Sequence, residues 1–299
     1  STLYYKGEKL DADPSELRYI TAENGAPSGY YTDGKSLFMG FYRLDTRYSD
    51  ETRRICYDAK HDIEYLFEPK SGAVFANEHK FNAQNMPYSA IYSVDNVHSF
   101  WPLFASKDGI YFWDGSKNEQ AKISDYQLKG ELKRLYADVF VDESSAYFLQ
   151  QGEEWRRSKH GRHLEAQTVS LYKFATSSSW REVGLVKDGE YGAVYANGDK
   201  VYFFSKIKPF YGIKHSVYEV ADLSVIEILT RPSKELSAKD ISEMIKRGEL
   251  VEASGEEVAR SRIEFDSPKI ILYITFGIAF FVIVLTTLAK PKRDERDLR

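Results

Sequence analysis

The chain has 299 residues, 42% of them hydrophobic and 29% charged, with a formal net charge of -4 at pH 7. Its length allows one large domain or two small ones. Its acidic balance does not suit a nucleic-acid-binding protein, which should be basic. Cys56 is the only cysteine, so an intrachain disulfide is excluded. We expect Cys56 to be a small packed side chain rather than a reactive thiol.

Five segments repeat one pattern: an aromatic residue, a short turn rich in Asp, Gly and Lys, and an apolar-aromatic run. They span 30–42, 67–79, 104–115, 140–152 and 194–205. Asp-Gly and Asn-Gly between alternating apolar runs favour β-hairpins because these residues tolerate positive φ. The turns recur roughly every 35 to 55 residues, which predicts a mainly β, propeller-like domain of about five irregular blades. A solenoid or a sandwich is the alternative.

The first repeat and the residues before it resemble the DKNYY repeat family of bacterial proteins. That family combines an Asp-Lys-Asn-type turn, a Tyr-Tyr strand, a Gly-Lys hairpin and an Asp-Pro-x-x-Phe/Leu segment. The residues that fit are Tyr4, Tyr5, Gly7, Asp13, Pro14 and Leu17. Segments 106–115 and 197–204 fit the turn and strand only, and the Asn of the turn is absent throughout. The resemblance covers about half of the domain and implies a bacterial envelope protein, with no activity to transfer to particular residues.

Residues 29–36, GYYTDGKS, match the P-loop pattern G-x-x-x-x-G-K-[ST]. A P-loop needs a helix after it, so that backbone amides and the helix N-terminus face the phosphates. Here the strand-like run LFMGFY follows, and Asp33 would repel a phosphate. The match coincides with the turn of the first repeat, so we expect a hairpin and no nucleotide.

A basic segment, 153–165, stands out from the acidic remainder through Arg156, Arg157, Lys159 and Arg162. We interpret it as a solvated loop, with a contact for anionic lipid head groups or an acidic protein patch as the alternative. His160 and His163 have the spacing of zinc ligands, but the neighbouring cations disfavour a metal.

The four tryptophans could stack on sugars, although packing in the core or at its edge is expected for them. They are Trp101, Trp113, Trp155 and Trp180.

A short helix is predicted after the repeats. Ser237 is a plausible N-cap, Asp240 completes a capping box, and Gly248 ends the helix. DLSVIEIL before it has the pattern of a strand, and 252–269 after it resembles a polar juxtamembrane linker.

Residues 270–289 form an uncharged apolar run that would span roughly 30 Å as a helix, the thickness of a bilayer core. Basic residues follow it directly, among them Lys290, Lys292 and Arg293, which favours a cytoplasmic tail. Thr275, Gly277 and Ala279 form a small-residue strip that could meet another helix.

The predicted division is therefore an external β-repeat domain (1–235), a short helix and linker (236–269), a transmembrane helix (270–289) and a basic tail (290–299). With no catalytic, metal or cofactor motif identified, we expect a non-enzymatic accessory subunit in a bacterial inner membrane, with its large N-terminal domain periplasmic. Its expected partners are other membrane-protein subunits and the lipid bilayer. A glycan- or peptidoglycan-binding ectodomain is the alternative, and a hydrolase is a third reading.

Overall fold

The computed structural model describes residues 3–5, 8–10, 12–21, 28–93, 101–159, 161–207, 213–232 and 236–265. Within these ranges the protein is mainly β, as predicted. The predicted transmembrane segment and tail lie outside them, with the six residues singled out there: Thr275, Gly277, Ala279, Lys290, Lys292 and Arg293. Among the residues described, no helix has the length and apolar character needed to cross a membrane.

The strands form one small hairpin and five larger antiparallel sheets, built mostly from consecutive strands. The hairpin pairs β1 (Leu3–Tyr5) with β2 (Glu8–Leu10). Sheet 1 contains β3 (Arg18–Tyr19), β4 (Tyr30–Thr32), β5 (Ser36–Met39) and β6 (Tyr42–Arg47). Sheet 2 contains β7 (Arg53–Asp58), β8 (Ile63–Glu68), β9 (Ala73–Ala76) and β10 (His79–Lys80). Sheet 3 contains β11 (Ser89–Ile91), β12 (Leu103–Ser106), β13 (Gly109–Asp114) and β14 (Glu119–Ser124).

The last two sheets also recruit strands from the C-terminal part of the chain. Sheet 4 begins with β15 (Lys133–Tyr136), β16 (Val139–Val141), β17 (Ser145–Ser158) and β18 (Gly161–Thr176). Sheet 5 contains β19 (Trp180–Val186), β20 (Gly192–Asn197), β21 (Lys200–Ser205), β22 (Val217–Val220) and β23 (Leu250–Glu252). The final strand, β24 (Glu256–Glu264), returns to sheet 4 and lies beside β18.

Each of the five predicted hairpins is the central strand pair of one sheet. They are β4–β5, β8–β9, β12–β13, β16–β17 and β20–β21. The prediction of repeated antiparallel units is therefore confirmed. No closed propeller ring is found among the residues described.

An acidic residue starts a turn in each of the first four sheets and accepts hydrogen bonds from the N–H groups that follow it. A serine two or three positions later supplies one of these donors in every case. The pairs are Asp33–Ser36 (2.7 Å), Glu68–Ser71 (2.7 Å), Asp114–Ser116 (3.1 Å) and Asp142–Ser145 (2.8 Å). Such side chains satisfy backbone donors that the strand ladder leaves unpaired. This acid–serine turn recurs in the sequence, but it is not part of the predicted hairpin pattern.

Successive sheets pack face to face through aromatic and aliphatic side chains. Tyr30 packs with Phe75 between sheets 1 and 2, and Tyr65 with Phe104 between sheets 2 and 3. The remaining two interfaces are formed by Phe112 with Leu149, and by Phe148 with Phe204. Each unit thus buries its apolar face against the next, as stacked repeats do.

Two helices cover the outer face of sheet 5. They are α1 (Val225–Thr230) and α2 (Ala238–Lys246), which bury Leu229 and Ile241 against Phe203. The predicted capping box of α2 is present, since the Ser237 side chain accepts from the Asp240 N–H and the Asp240 side chain accepts from the Ser237 N–H. This helix is confirmed.

Two predictions about the C-terminal region are wrong. DLSVIEIL contains the helix α1 rather than a strand, because Val225 and Leu229, one turn apart, bury the same face. The expected polar linker is a strand over Glu256–Glu264. Its charges alternate with buried Val258, Ser261 and Ile263, which is the pattern of a strand with one solvated face.

A buried serine ties β24 to the core. The Trp101 indole N–H donates to Ser261 Oγ (2.8 Å), and the Ser261 hydroxyl donates to the Val169 carbonyl of β18 (3.0 Å). Ser261→Ala removes both bonds at a fully buried position, so the free energy of unfolding should fall by about 1–3 kcal/mol. Urea denaturation measures this change. The control is Ser224→Ala, since the Ser224 side chain is exposed and water can replace its hydrogen bond to Asp222; equal losses in both variants would contradict the prediction.

Candidate functional site

The basic segment is the distal part of an unusually long β-hairpin. Strands β17 and β18 have 14 and 16 residues, against a usual five or six. Tyr147 and Val169 in the proximal part are buried, whereas residues 153–157, 159 and 161–163 are exposed or half-exposed. We name residues 153–163 the arm. The expected loop is therefore corrected to a β-hairpin, although its predicted solvation is confirmed.

The arm presents three of its four cations, Arg156, Arg157 and Arg162, on strands, and Lys159 in the turn between them. Arg156 lies 3.5 Å from Glu165, and the Arg162 guanidinium lies over the Trp155 ring, 5.8 Å from its centroid. Arg157 and Lys159 are exposed and have no ion-pair partner among the residues described. The arm therefore carries exposed positive charge. His160 lies outside the described residues.

One tryptophan differs from the other three in exposure. Trp101 and Trp113 are buried, and Trp180 packs against Phe174 and Tyr202, which confirms the expected packing role. Trp155 is 48% exposed and lies among the cations of the arm. Tryptophan with Lys or Arg is typical of side chains that anchor a protein at a membrane–water interface.

The last described strand leads toward the arm. Gly255 lies beside the Lys173 carbonyl of β18, and ten residues later the Phe265 N–H donates to the Glu165 carbonyl (2.8 Å). β24 therefore runs antiparallel to β18. Residues 153–166 and Glu264–Phe265 belong to a second compact unit. Because Glu165 adjoins the arm, the chain leaves β24 next to it.

A second group of cations lines a pocket on sheet 1, which the sequence analysis did not anticipate. The P-loop-like residues form the β4–β5 hairpin, as predicted. The hairpin turn and β6 enclose a cavity of about 410 Å³ whose lining includes three cations and no acid: Gly34, Lys35, Ser36, Arg43, Thr46, Arg47 and Tyr48. The sequence does contain a signal for this pocket, because two arginines lie four positions apart on a strand opposite Lys35.

Cys56 and His61 are two titratable groups that pack within the fold. Burial raises the pKa of the Cys56 thiol to about 12, so the thiol is protonated at neutral pH, as expected for a packed side chain. His61 Nδ1 lies 2.6 Å from Asp58 Oδ2, and the His61 ring packs against Gly115 of the next sheet. Among the residues described, no group of three His, Cys, Asp or Glu side chains could hold a metal ion.

A scan against protein-family models, a search of curated proteins and a search of solved structures each returned no match. The DKNYY resemblance stays a prediction.

Proposed function

We propose that this protein is a single-pass membrane-anchored β-repeat protein that acts as a non-enzymatic scaffold or accessory subunit of a bacterial envelope complex. In this proposal the sheets are external, residues 270–289 cross the inner membrane and the basic tail is cytoplasmic. The observation that carries it is the position of the arm beside the point where the chain leaves β24.

Chain geometry supports an arm at the membrane surface. Ile270 follows Phe265 by five residues, which reach at most roughly 17 Å. From Glu165 the arm continues four residues to Gly161, or roughly 13 Å along a strand. If residues 270–289 span the bilayer, the arm can therefore reach the lipid head groups. Its cations and Trp155 suit that interface.

The repeat architecture supports a scaffold. We propose that the five sheets are blades of an open, propeller-like stack, in which each blade rests on the next and the two helices cover the last face. A stack of this kind exposes sheet edges and turns over a long surface. Three of the four tryptophans pack within the fold. Their packing therefore gives no support to the alternative of a glycan-binding domain.

Cysteine labelling tests the topology directly. Because Cys56 is buried and its thiol is protonated, a cysteine introduced at an exposed position should be the main target of a maleimide. We expect Lys159→Cys to react with a membrane-impermeant maleimide in intact spheroplasts. Arg293→Cys should react only after the membrane is permeabilised. Labelling of Arg293→Cys from outside would overturn the topology.

The scaffold role is tested on the full-length chain at native expression. We expect it to co-purify in mild detergent with a membrane-protein partner at fixed stoichiometry, identified by mass spectrometry. Recovery of a lone monomer would contradict the scaffold while leaving the topology result intact.

A further inference from the structure

The pocket on sheet 1 opens on the face that points away from sheet 2. Phe38 belongs to the cluster on that face, and it is the register partner of Arg43. Paired residues share a face, and so do residues two apart on one strand. Arg43, Ser36 and the Ser36 partner Arg47 therefore share that face. Ala12 packs on the Tyr31–Phe38 part of this face, whereas Arg43 and Arg47 are exposed.

A bulge shapes the pocket. Ser36 pairs with Arg47, whereas the next residue, Leu37, pairs with Leu44. Residues 45 and 46 are therefore extra on β6, and Thr46 joins the pocket lining. Bulges re-aim side chains in this way and are common beside functional sites.

The acids near the pocket, Asp13, Asp33 and Asp45, do not line it. The Asp33 carboxylate accepts the N–H groups of Lys35 (3.0 Å) and Ser36 (2.7 Å). The Lys80 ammonium donates to the Asp45 carboxylate (3.2 Å). Lys35 and Arg47 have no ion-pair partner among the residues described. The pocket consequently keeps a positive charge that its own side chains do not neutralise.

Hydroxyl and aromatic groups complete the lining. Ser36, Thr46 and Tyr48 contribute hydroxyls. Arg18 donates to the Tyr48 hydroxyl (3.2 Å) and lies over the Tyr48 ring, 5.2 Å from its centroid, which holds that side chain in place. Lysine, arginine and hydroxyl donors together match the several acceptor oxygens of a phosphate group.

We propose that this pocket binds a small ligand through a phosphate group. Lys35 and Arg47, which have no ion-pair partner among the residues described, suit a dianion better than a single carboxylate. A cavity of about 410 Å³ falls within the size of small-molecule sites. The ligand is either a free phosphate ester or the phosphate of a lipid head group. This inference does not depend on the membrane anchor.

Isothermal titration of the full-length chain in mild non-ionic detergent tests the proposal, with inorganic phosphate and glycerol 3-phosphate as probes. We expect saturable binding that weakens as salt rises. The double variant Lys35→Gln/Arg47→Gln should bind at least about tenfold more weakly, because two charge-assisted hydrogen bonds are lost. The matched control is Lys133→Gln/Lys246→Gln, which removes two exposed lysines outside the pocket.

The outcomes separate the alternatives. Tighter binding of glycerol 3-phosphate than of phosphate supports the proposal and identifies an ester as the ligand. Binding to anionic vesicles that glycerol 3-phosphate competes away supports the lipid source. No saturable binding of either probe, or equal binding by the pocket variant and the control, overturns the proposal. Circular dichroism and urea denaturation of each variant exclude a folding defect as the cause.

Discussion

Asp142→Ala should lower the free energy of unfolding by about 3–4 kcal/mol, because it strips a turn of its central acceptor. One carboxylate oxygen accepts the N–H groups of Ser144 (2.7 Å) and Ser145 (2.8 Å). The other accepts the Lys129 N–H (2.8 Å) and the Tyr147 hydroxyl (2.7 Å). Asp142 is nearly buried, so water cannot readily replace these bonds. Urea denaturation of the variant and the wild type measures the loss.

The control for this prediction is Asp125→Ala. Asp125 is 93% exposed and its contact with Lys122 is a surface ion pair, which contributes at most about 1 kcal/mol. A loss at Asp142 no larger than at Asp125 would show that the turn does not depend on its acid.

The same bonds make stability depend on pH. Burial alone would raise the pKa of Asp142, but the N–H groups of Lys129, Ser144 and Ser145 and the Tyr147 hydroxyl outweigh it and lower the pKa. The pKa values of Asp33, Glu68 and Asp114 are lowered in the same way. A carboxylate whose pKa is lower in the folded state stabilises the fold at pH values above its unfolded pKa of about 4. This stabilisation is lost as the pH falls through the lower pKa of the folded state.

We therefore expect the urea concentration at the unfolding midpoint of the wild type to decrease when the pH is lowered below about 4. The difference between wild type and Asp142→Ala should shrink over the same range, because protonation removes the acceptor that the variant already lacks. A difference that stays constant down to pH 3 would contradict the role of ionised Asp142.

Gly192→Ala should destabilise sheet 5 by more than about 3 kcal/mol. Gly192 has φ +128°, and a Cβ there would lie 1.9 Å from the Phe204 carbonyl oxygen of the paired strand. Both strain and a backbone clash oppose the substitution. Gly198→Ala is the matched control, since Gly198 also has positive φ (+61°) but faces open space and should cost about 1 kcal/mol. Equal costs in urea denaturation would contradict the clash.

The hairpins were predictable because their signal is local. Asp33-Gly34 and Asn197-Gly198 fix a turn within four residues, and the alternation beside them fixes the strands. The α2 helix was predictable for the same reason, since its cap and stop lie within twelve residues.

The errors and omissions arose where partners are distant in sequence. β24 pairs with a strand about ninety residues earlier, so nothing local in its sequence distinguishes it from a polar linker. The pocket depends on a bulge that brings Arg47 opposite Ser36, and no local pattern specifies that register. The hydrogen-bonding centre at Asp142 needs the Lys129 backbone, which only the fold brings near.

The attachment of β24 has a mechanical consequence. If the chain after Phe265 is held in a membrane, tension on it acts along β24, parallel to the strand axis. The hydrogen bonds between β24 and β18 lie across that axis, so they are loaded in shear and must break together. The hydrogen bond from Trp101 to Ser261 adds a further contact near the middle of β24. A pull on the anchor would therefore be resisted by sheet 4 as a whole, while sheet 5, which precedes β24 in sequence, stays unloaded.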